Sequence, residues 1–364
     1  MNKNEIIVTY GNQIKEMTLK LLEASKIESL IPSKKSRIGL KPNLVVARTP
    51  EGGATTHPQI VTTIIEYLQE RGYSNIKIIE SAWVGDSTKR GFKVNGYYEI
   101  SEKYNVPLFD VKDDKYIKKT SHGITMELSK EILDLDFLIS IPVLKGHCQT
   151  LMTCALKNMK GCLSDSSKRL FHSLGLSKPI ATLNAIRVAD LVIVDSINGD
   201  LDFEEGGTPV KTNRMFIARD SVLCDTFAAS LLGFKSSDIE YIEIAEKLGV
   251  GSTNLNQAKI SYVNKPEVDN ISKPTGIVNV LSENVLPIKA CSACYGNLIH
   301  ALKRLDEENM LHLSQRICIG QGYKEIKDKS QLGVGVCTRN LGKSLKGCPS
   351  SASEMVDFIK NNLI

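Results

Sequence analysis

The chain has 364 residues, enough to bury a large core and to divide into two domains. Its 42 % hydrophobic and 24 % charged residues exclude a disordered chain, and a net charge of +5, spread over 46 basic and 41 acidic side chains without a basic stripe, gives no nucleic-acid signature. The N-terminal MNKNEIIVTYGNQ lacks the apolar core of a signal peptide and no run of 18 apolar residues occurs, so the expectation is a cytoplasmic protein without a membrane partner.

In chain order, EIIVTY at 5–10 predicts a strand and QIKEMTLKLLEASK at 13–26 a helix. SRIGLKPNLV at 36–45 and NIKIIES at 75–81 predict strands, with PQIVTTIIEYLQERG at 58–72 a helix between them. GYYEISEKYN at 96–105 reads as helix. VPLFDV, DFLISIPVLK, DLVIVDSI and RMFIARD read as strands, interleaved with helical stretches around 149–158, 179–188 and 221–233, and KISYV at 259–263 closes the series. Strands alternating with helices demand right-handed crossovers, so the expected class is α/β: a doubly wound, mostly parallel sheet with helices on both faces. The prolines, polar residues and glycine of NKPEVDNISKPTG at 264–276 interrupt both periodicities. They separate a larger α/β domain, residues 1–265, from a smaller cysteine-rich α/β domain, residues 276–364.

Nine cysteines in a reducing compartment are thiols or metal ligands rather than disulfides, and the odd number agrees. Five of them lie beyond residue 276. Cys291 and Cys294 form a C-x2-C pair, and Cys337 and Cys348 follow singly in GVGVC and KGCP. Four thiolates hold either a tetrahedral zinc or an iron-sulfur cluster. A zinc ion about 2.3 Å from each sulfur favours two tight knuckles, whereas a larger cubane accepts single ligands from separate loops. The spacing therefore favours a [4Fe-4S] cluster on Cys291, Cys294, Cys337 and Cys348, with zinc, thiol chemistry or plain core thiols as alternatives. Cys294 opens the amphipathic run YGNLIHALKRL. Cys348 precedes PSSASEMVDFIKNNL, with Pro349 in the predicted first turn, so two helix starts would face a negatively charged cluster. Cys318, inside the apolar RICIG, reads as packing. The GCPS turn resembles the glycine-cysteine-proline turn that carries the last cluster ligand in hydrogenase small subunits.

LISIPVLKGHCQTLMTCALKNMKGCL at 138–163, with GLKPNLV at 39–45, TTHPQIV at 55–61, RLFHSLGL at 169–176 and LVIVDSINGD at 191–200, resembles the domain of unknown function family 362 over about residues 35–235. The resemblance implies no assigned reaction. Members are often associated with iron-sulfur ligands or ferredoxin-like segments, which fits the cysteine-rich tail. Gly146, in KGH, stands where the family more often has threonine.

Physical chemistry gathers these segments at one place. Lys41 and Asn43 end one predicted strand, Glu80 and Ser81 the next, Lys145 and His147 follow FLISIPVL, and Asp195 ends LVIV. Open α/β sheets bind ligands beyond the carboxyl ends of their strands. Lys145 and His147 are two apart, so an extended chain points both to one side. The lysine would neutralise a carboxylate or phosphate, or act as a nucleophile once desolvated, and the histidine would shuttle a proton. The plainer reading is a solvated strand-end charge and a turn residue capping the helix around 149–158. Lys157 and Asn158 at that helix's end, and His172 on an expected loop, complete the substrate-binding set Lys41, Asn43, Glu80, Lys157, Asn158, His172 and Asp195, beside the catalytic pair Lys145 and His147. His57 before Pro58 reads as capping chemistry, and EEGGTPV at 204–210 as an anion nest or a turn.

Three functions follow. The first is a redox enzyme or electron-transfer protein whose [4Fe-4S] cluster serves a small anionic substrate or a redox partner protein. The second is a non-redox isomerase, lyase or transferase with a structural metal module, and the third a scaffold that passes its cluster to a client. A homodimer is compatible with all three.

Overall fold

The computed structural model describes residues 1–264 and 273–364. Most of the interruption expected at 264–276 thus lies outside the described residues. Two compact units are present: Met1–Lys168 with Leu176–Lys273, and Arg169–Gly175 with Pro274–Ile364.

The first unit begins with β1 (Glu5–Tyr10), α1 (Ile14–Ser25), β2 (Ile38–Pro42), α2 (Pro58–Glu70) and β3 (Ile76–Glu80). Helices α3 (Thr88–Val94) and α4 (Tyr97–Tyr104) lead to β4 (Leu108–Asp110), the hairpin β5 (Tyr116–Ser121) and β6 (Ile124–Ser129), α5 (Lys130–Asp134) and β7 (Phe137–Ile141). A second hairpin, β8 (Lys145–His147) and β9 (Leu151–Thr153), precedes α6 (Ala155–Asn158), α7 (Asp165–Leu174), which groups with the second unit from Arg169 onward, and α8 (Ser177–Ile186). The unit closes with β10 (Leu191–Asp200), β11 (Pro209–Ala218), α9 (Ser221–Leu231), α10 (Glu240–Lys247) and β12 (Lys259–Tyr262).

Eight of these strands form one sheet in the order β12-β1-β11-β10-β7-β2-β3-β4. β11 runs antiparallel to both its neighbours and every other pairing is parallel. The doubly wound, mostly parallel sheet expected from the alternation is thus the architecture. Strands β2, β7 and β10 are buried at every residue, which is why FLISI of β7 and LVIV of β10 read as largely apolar runs rather than alternating ones. On one face Leu21 and Leu22 of α1 and Ile60, Ile64 and Leu68 of α2 pack with Leu40, Ile78 and Ile139. The chain leaves β2 for β3 and β4, then returns to β7 on the other side of β2. That reversal is a topological switch point, and open α/β sheets bind ligands beyond the carboxyl ends of the strands at such a point.

The helix expected over 149–158 is corrected. Residues 145–153 form the antiparallel pair β8–β9, with Lys145 opposite Thr153, and helix is confined to Ala155–Asn158. Leu151 has φ +62°, which breaks any helix there. Gly146 lies so close to the backbone of Leu201 that a Cβ would fall 2.0 Å from its carbonyl oxygen. His172, expected on a loop, lies in α7.

The second unit has α11 (Ile277–Ser282), β13 (Val285–Pro287), α12 (Ser292–Glu307), β14 (Ile317–Ile319), β15 (Leu332–Val334), β16 (Lys343–Leu345) and α13 (Ala352–Leu363). Its four strands form a parallel sheet in sequential order. Pro349 is not in the first turn of α13: Ser351 is the N-cap, accepting from Glu354 N–H while the Glu354 carboxylate accepts from Ser351 N–H.

Candidate functional site

The ends of β2 and β3 carry a buried ion pair. Lys41 Nζ lies 2.8 Å from Glu80 Oε2, both side chains being at most 3 % exposed. Glu80 Oε1 accepts from Ser81 N–H at 2.7 Å. Asn158 of α6 bridges strands: its Nδ2 donates to Ser140 Oγ at 2.9 Å, and its Oδ1 accepts from Lys41 Nζ at 3.4 Å. Gly161 permits this arrangement, since a Cβ there would sit 2.0 Å from Glu80 Oε1 and 2.7 Å from Lys41 Nζ. Lys168 donates to Ser81 Oγ and to Ala82 O, and burial lowers its pKa to about 8. Asn43, one of the expected substrate-binding residues, accepts from Val45 N–H at 3.3 Å in the turn after β2.

A second cluster centres on Glu204, in the connection between β10 and β11. Its Oε2 lies 3.0 Å from His147 Nε2 and its Oε1 3.1 Å from Lys157 Nζ. His147 Nδ1 accepts from Gln149 N–H at 3.0 Å and Thr150 N–H at 3.1 Å. The proton of the neutral ring is therefore on Nε2, facing the carboxylate. Burial, helped by the charge of Lys157, lowers the His147 pKa to about 4. Lys145 Nζ donates to Ala54 O at 2.6 Å and Glu204 O at 2.8 Å, and burial brings its pKa down to about 8. Burial also lowers Lys157. Burial pushes the Glu204 carboxyl up, but Lys157, His147 and Lys145 outweigh it and hold it well below the usual range. Lys145 and His147 do share one side of an extended segment, as their spacing implied.

Asp195 is wholly buried on β10 and orients the start of α2. Its Oδ2 accepts from His57 N–H at 2.9 Å and lies 2.8 Å from His57 Nδ1. Burial opposes protonation of His57, but the Asp195 carboxylate overrides it and raises the pKa. The Tyr97 hydroxyl, fully buried and without a hydrogen-bond partner, lies within electrostatic reach of Glu80 and Asp195.

In the second unit Cys291 is the N-cap of α12, Cys294 lies in its first turn, Cys337 follows β15 and Cys348 follows β16. The four thiols are within electrostatic reach of one another. Burial first, then Cys291, Cys348 and Cys337, push Cys294 up to about 12. Cys291 Sγ accepts from Gln321 Nε2 at 3.4 Å, and a Cβ on Gly335 would lie 3.7 Å from Cys294 Sγ. Among the described residues no three of these sulfurs lie within 4.8 Å of one another, the closeness that a single zinc with sulfurs about 3.8 Å apart demands. A trio that tight is found instead in the first unit, at Cys154, Cys224 and Asp225. Cys318 is 1 % exposed on β14 and packs with Tyr323 and Leu341, away from this set. His172 groups with the second unit, its Nδ1 3.3 Å from Ser292 N.

Residues 38–230 match the model described as "Domain of unknown function (DUF362)". The chain belongs to the DUF362 family. This DUF362 protein is 27 % identical over 256 residues to the "Thylakoid-associated protein sll1697" of Synechocystis sp., a match covering 65 % of the chain and 76 % of that relative. Among solved structures it is similar to the lactate racemase apoprotein of Thermoanaerobacterium thermosaccharolyticum (TM-score 0.40, 14 % identity, 60 % of this chain) and to a structural-genomics protein of Thermotoga maritima (TM-score 0.37, 13 % identity, 70 % of this chain). The matches span 55 % and 60 % of those two chains. Among the described residues no helix is long and apolar enough to cross a membrane.

Every crevice residue of this DUF362 protein falls within the matched span, and the four late cysteines fall outside it. Sequence reasoning missed Glu204, His57 as the partner of Asp195, Lys168 and Tyr97. Only the glycines after Glu204 drew attention to its segment, and they signalled a turn rather than a carboxylate.

Proposed function

We propose that this chain is a cytoplasmic iron-sulfur protein, a redox enzyme or electron-transfer protein in which Cys291, Cys294, Cys337 and Cys348 hold a [4Fe-4S] cluster and the cationic crevice takes a small anionic substrate. The observation that supports it is the set of four thiols within mutual electrostatic reach, two at the start of α12 and one each on the loops after β15 and β16. Such a cluster would supply one-electron transfer. Gly335 and Gly347, both at positive φ, let the loop backbone pass close to the thiols.

In the crevice, Lys145 and Lys157 would meet the substrate's negative charge. His147 has Nδ1 committed to two backbone donors, so Nε2 is its proton-active atom and Glu204 the group with which it exchanges. Anaerobic purification with iron and sulfide analysis and low-temperature EPR tests the reading. About four irons per chain, lost in Cys348→Ala, are expected, and a colourless, zinc-loaded protein overturns it.

The lysine lowered to about 8 beside a carboxylate-bound histidine also favours a non-redox reading, proton-transfer catalysis on an anionic substrate with a structural metal module. Lys145→Ala would then abolish turnover while the cluster signal persists and shows no accessible potential. An unchanged rate removes that reading.

A further inference from the structure

We infer that the carboxyl edge of the second unit's sheet is a docking surface for a small acidic electron-carrier protein. The inference rests on the cluster reading above and names the partner that reading lacks.

Because β13, β14, β15 and β16 are all parallel, the loops that follow them emerge on one edge of the sheet. Three of these loops bring the thiols: Cys291 after β13, Cys337 after β15 and Cys348 after β16. The same loops bring exposed cations, namely Lys289 after β13, Lys324 after β14, Arg339 after β15 and Lys346 after β16. Lys324 and Arg339 lie within electrostatic reach of Cys337. Ile288, Ile326 and Val336, from 39 % to 41 % accessible, lie on the same loops as these cations. Glu325 and Asp328 are the acidic residues of those loops, whereas Glu283 precedes β13 and so belongs to the opposite edge.

Exposed cations and single apolar side chains on the loops that bring the thiols are the make-up of a transient electron-transfer contact: long-range attraction gives speed and a small apolar area gives brief docking. The partner is accordingly acidic. An anionic membrane would want an amphipathic helix or a continuous apolar patch, and here the apolar residues are three isolated β-branched side chains. A cluster held by these thiols would accept one electron from the reduced carrier, with no bond made or broken.

The test uses full-length, cluster-loaded protein and a dithionite-reduced, acidic plant-type [2Fe-2S] ferredoxin in stopped flow. The second-order rate constant should fall at least tenfold between about 20 mM and about 500 mM salt. Lys289→Glu with Lys346→Glu should lower the low-salt rate about tenfold and flatten its salt dependence, while Lys289→Arg with Lys346→Arg keeps both. Iron content and the dithionite-reduced EPR signal are measured on each variant. Missing iron in the parent protein defeats the cluster reading itself. Intact, reducible clusters with a salt-insensitive rate, or an unchanged rate in the charge-reversed variant, overturn the docking surface alone. So does loss in that variant of binding to phosphatidylserine vesicles without change in the ferredoxin rate, which would make the edge a membrane contact.

Discussion

Replacing Glu204 by Gln removes one negative charge without changing shape, and the geometry fixes what that costs. The carboxylate lies 3.0 Å from His147 Nε2 and 3.1 Å from Lys157 Nζ, and Lys145 donates to the same residue's carbonyl. Breaking a buried pair strands the partner charge, at about 3 to 5 kcal/mol. A variant can escape part of this by deprotonating its lysines. Lys145, already lowered to about 8, gives up its proton readily in an alkaline buffer. The loss should therefore be about 3 kcal/mol or more near pH 6 and shrink as pH rises through 8 to 9. Urea unfolding followed by Trp83 fluorescence is the assay, because Trp83 is the single tryptophan and lies in the first unit. A loss under about 1 kcal/mol at every pH, or one that grows with pH, refutes the argument.

The two crevice histidines should act on stability with opposite signs. His147, folded pKa about 4 against an unfolded value of about 6.5, contributes stability that is full above pH 6.5 and disappears as pH falls towards 4, about 3 kcal/mol in all; His147→Asn should flatten that acid limb in urea titrations. His57, raised by Asp195, contributes stability that is full below about 6.5 and is lost as pH rises through its folded value, so His57→Asn should destabilise more at pH 5.5 than at pH 8.5. Gly161→Ala forces a methyl between Glu80 and Lys41 and should lower stability by about 1 to 3 kcal/mol. Lys41→Met strands Glu80 and should cost about 3 to 5 kcal/mol, with a double variant well short of the sum because both act on one pair.

The sheet was legible because its central strands are covered on both faces. Burial at every position of β2, β7 and β10 leaves short, largely apolar runs such as FLISI and LVIV, whose length and β-branched content mark them as strands. The β8–β9 hairpin was not, since the apolar spacing of QTLMTCALKN fits a helical face. What forbids helix there is φ +62° at Leu151 and the approach of the Leu201 backbone to Gly146, neither of which is local information. The β5–β6 hairpin turns at His122-Gly123, both at positive φ, a two-residue signal that sequence reading passed over. In the crevice, the period of two placed Lys145 and His147 together. Their carboxylate partner sits 59 residues beyond Lys145, on a connection whose composition says only turn. Long-range pairs such as His57 with Asp195 are set by strand order, which the sequence does not state.

The charge balance of the crevice leads to one more measurement. Lys41 is matched by Glu80 and Lys157 by Glu204, each within 3.1 Å. Lys145, fully buried, has two carbonyl oxygens as its hydrogen-bond acceptors, and burial is what lowers it to about 8. A protein that keeps such a cation has a site where an arriving anion recovers interaction free energy that folding gave up. Binding of a small dianion such as malonate or inorganic phosphate should then raise the Lys145 pKa, so that near pH 8.5 each binding event takes up a fraction of a proton. Affinity should tighten as pH falls from 9 to 7. Calorimetry in two buffers of different ionisation enthalpy reads that uptake directly. Lys145→Met should abolish it, and proton release, or uptake that survives in Lys145→Met, would show that the anion is met by some other group.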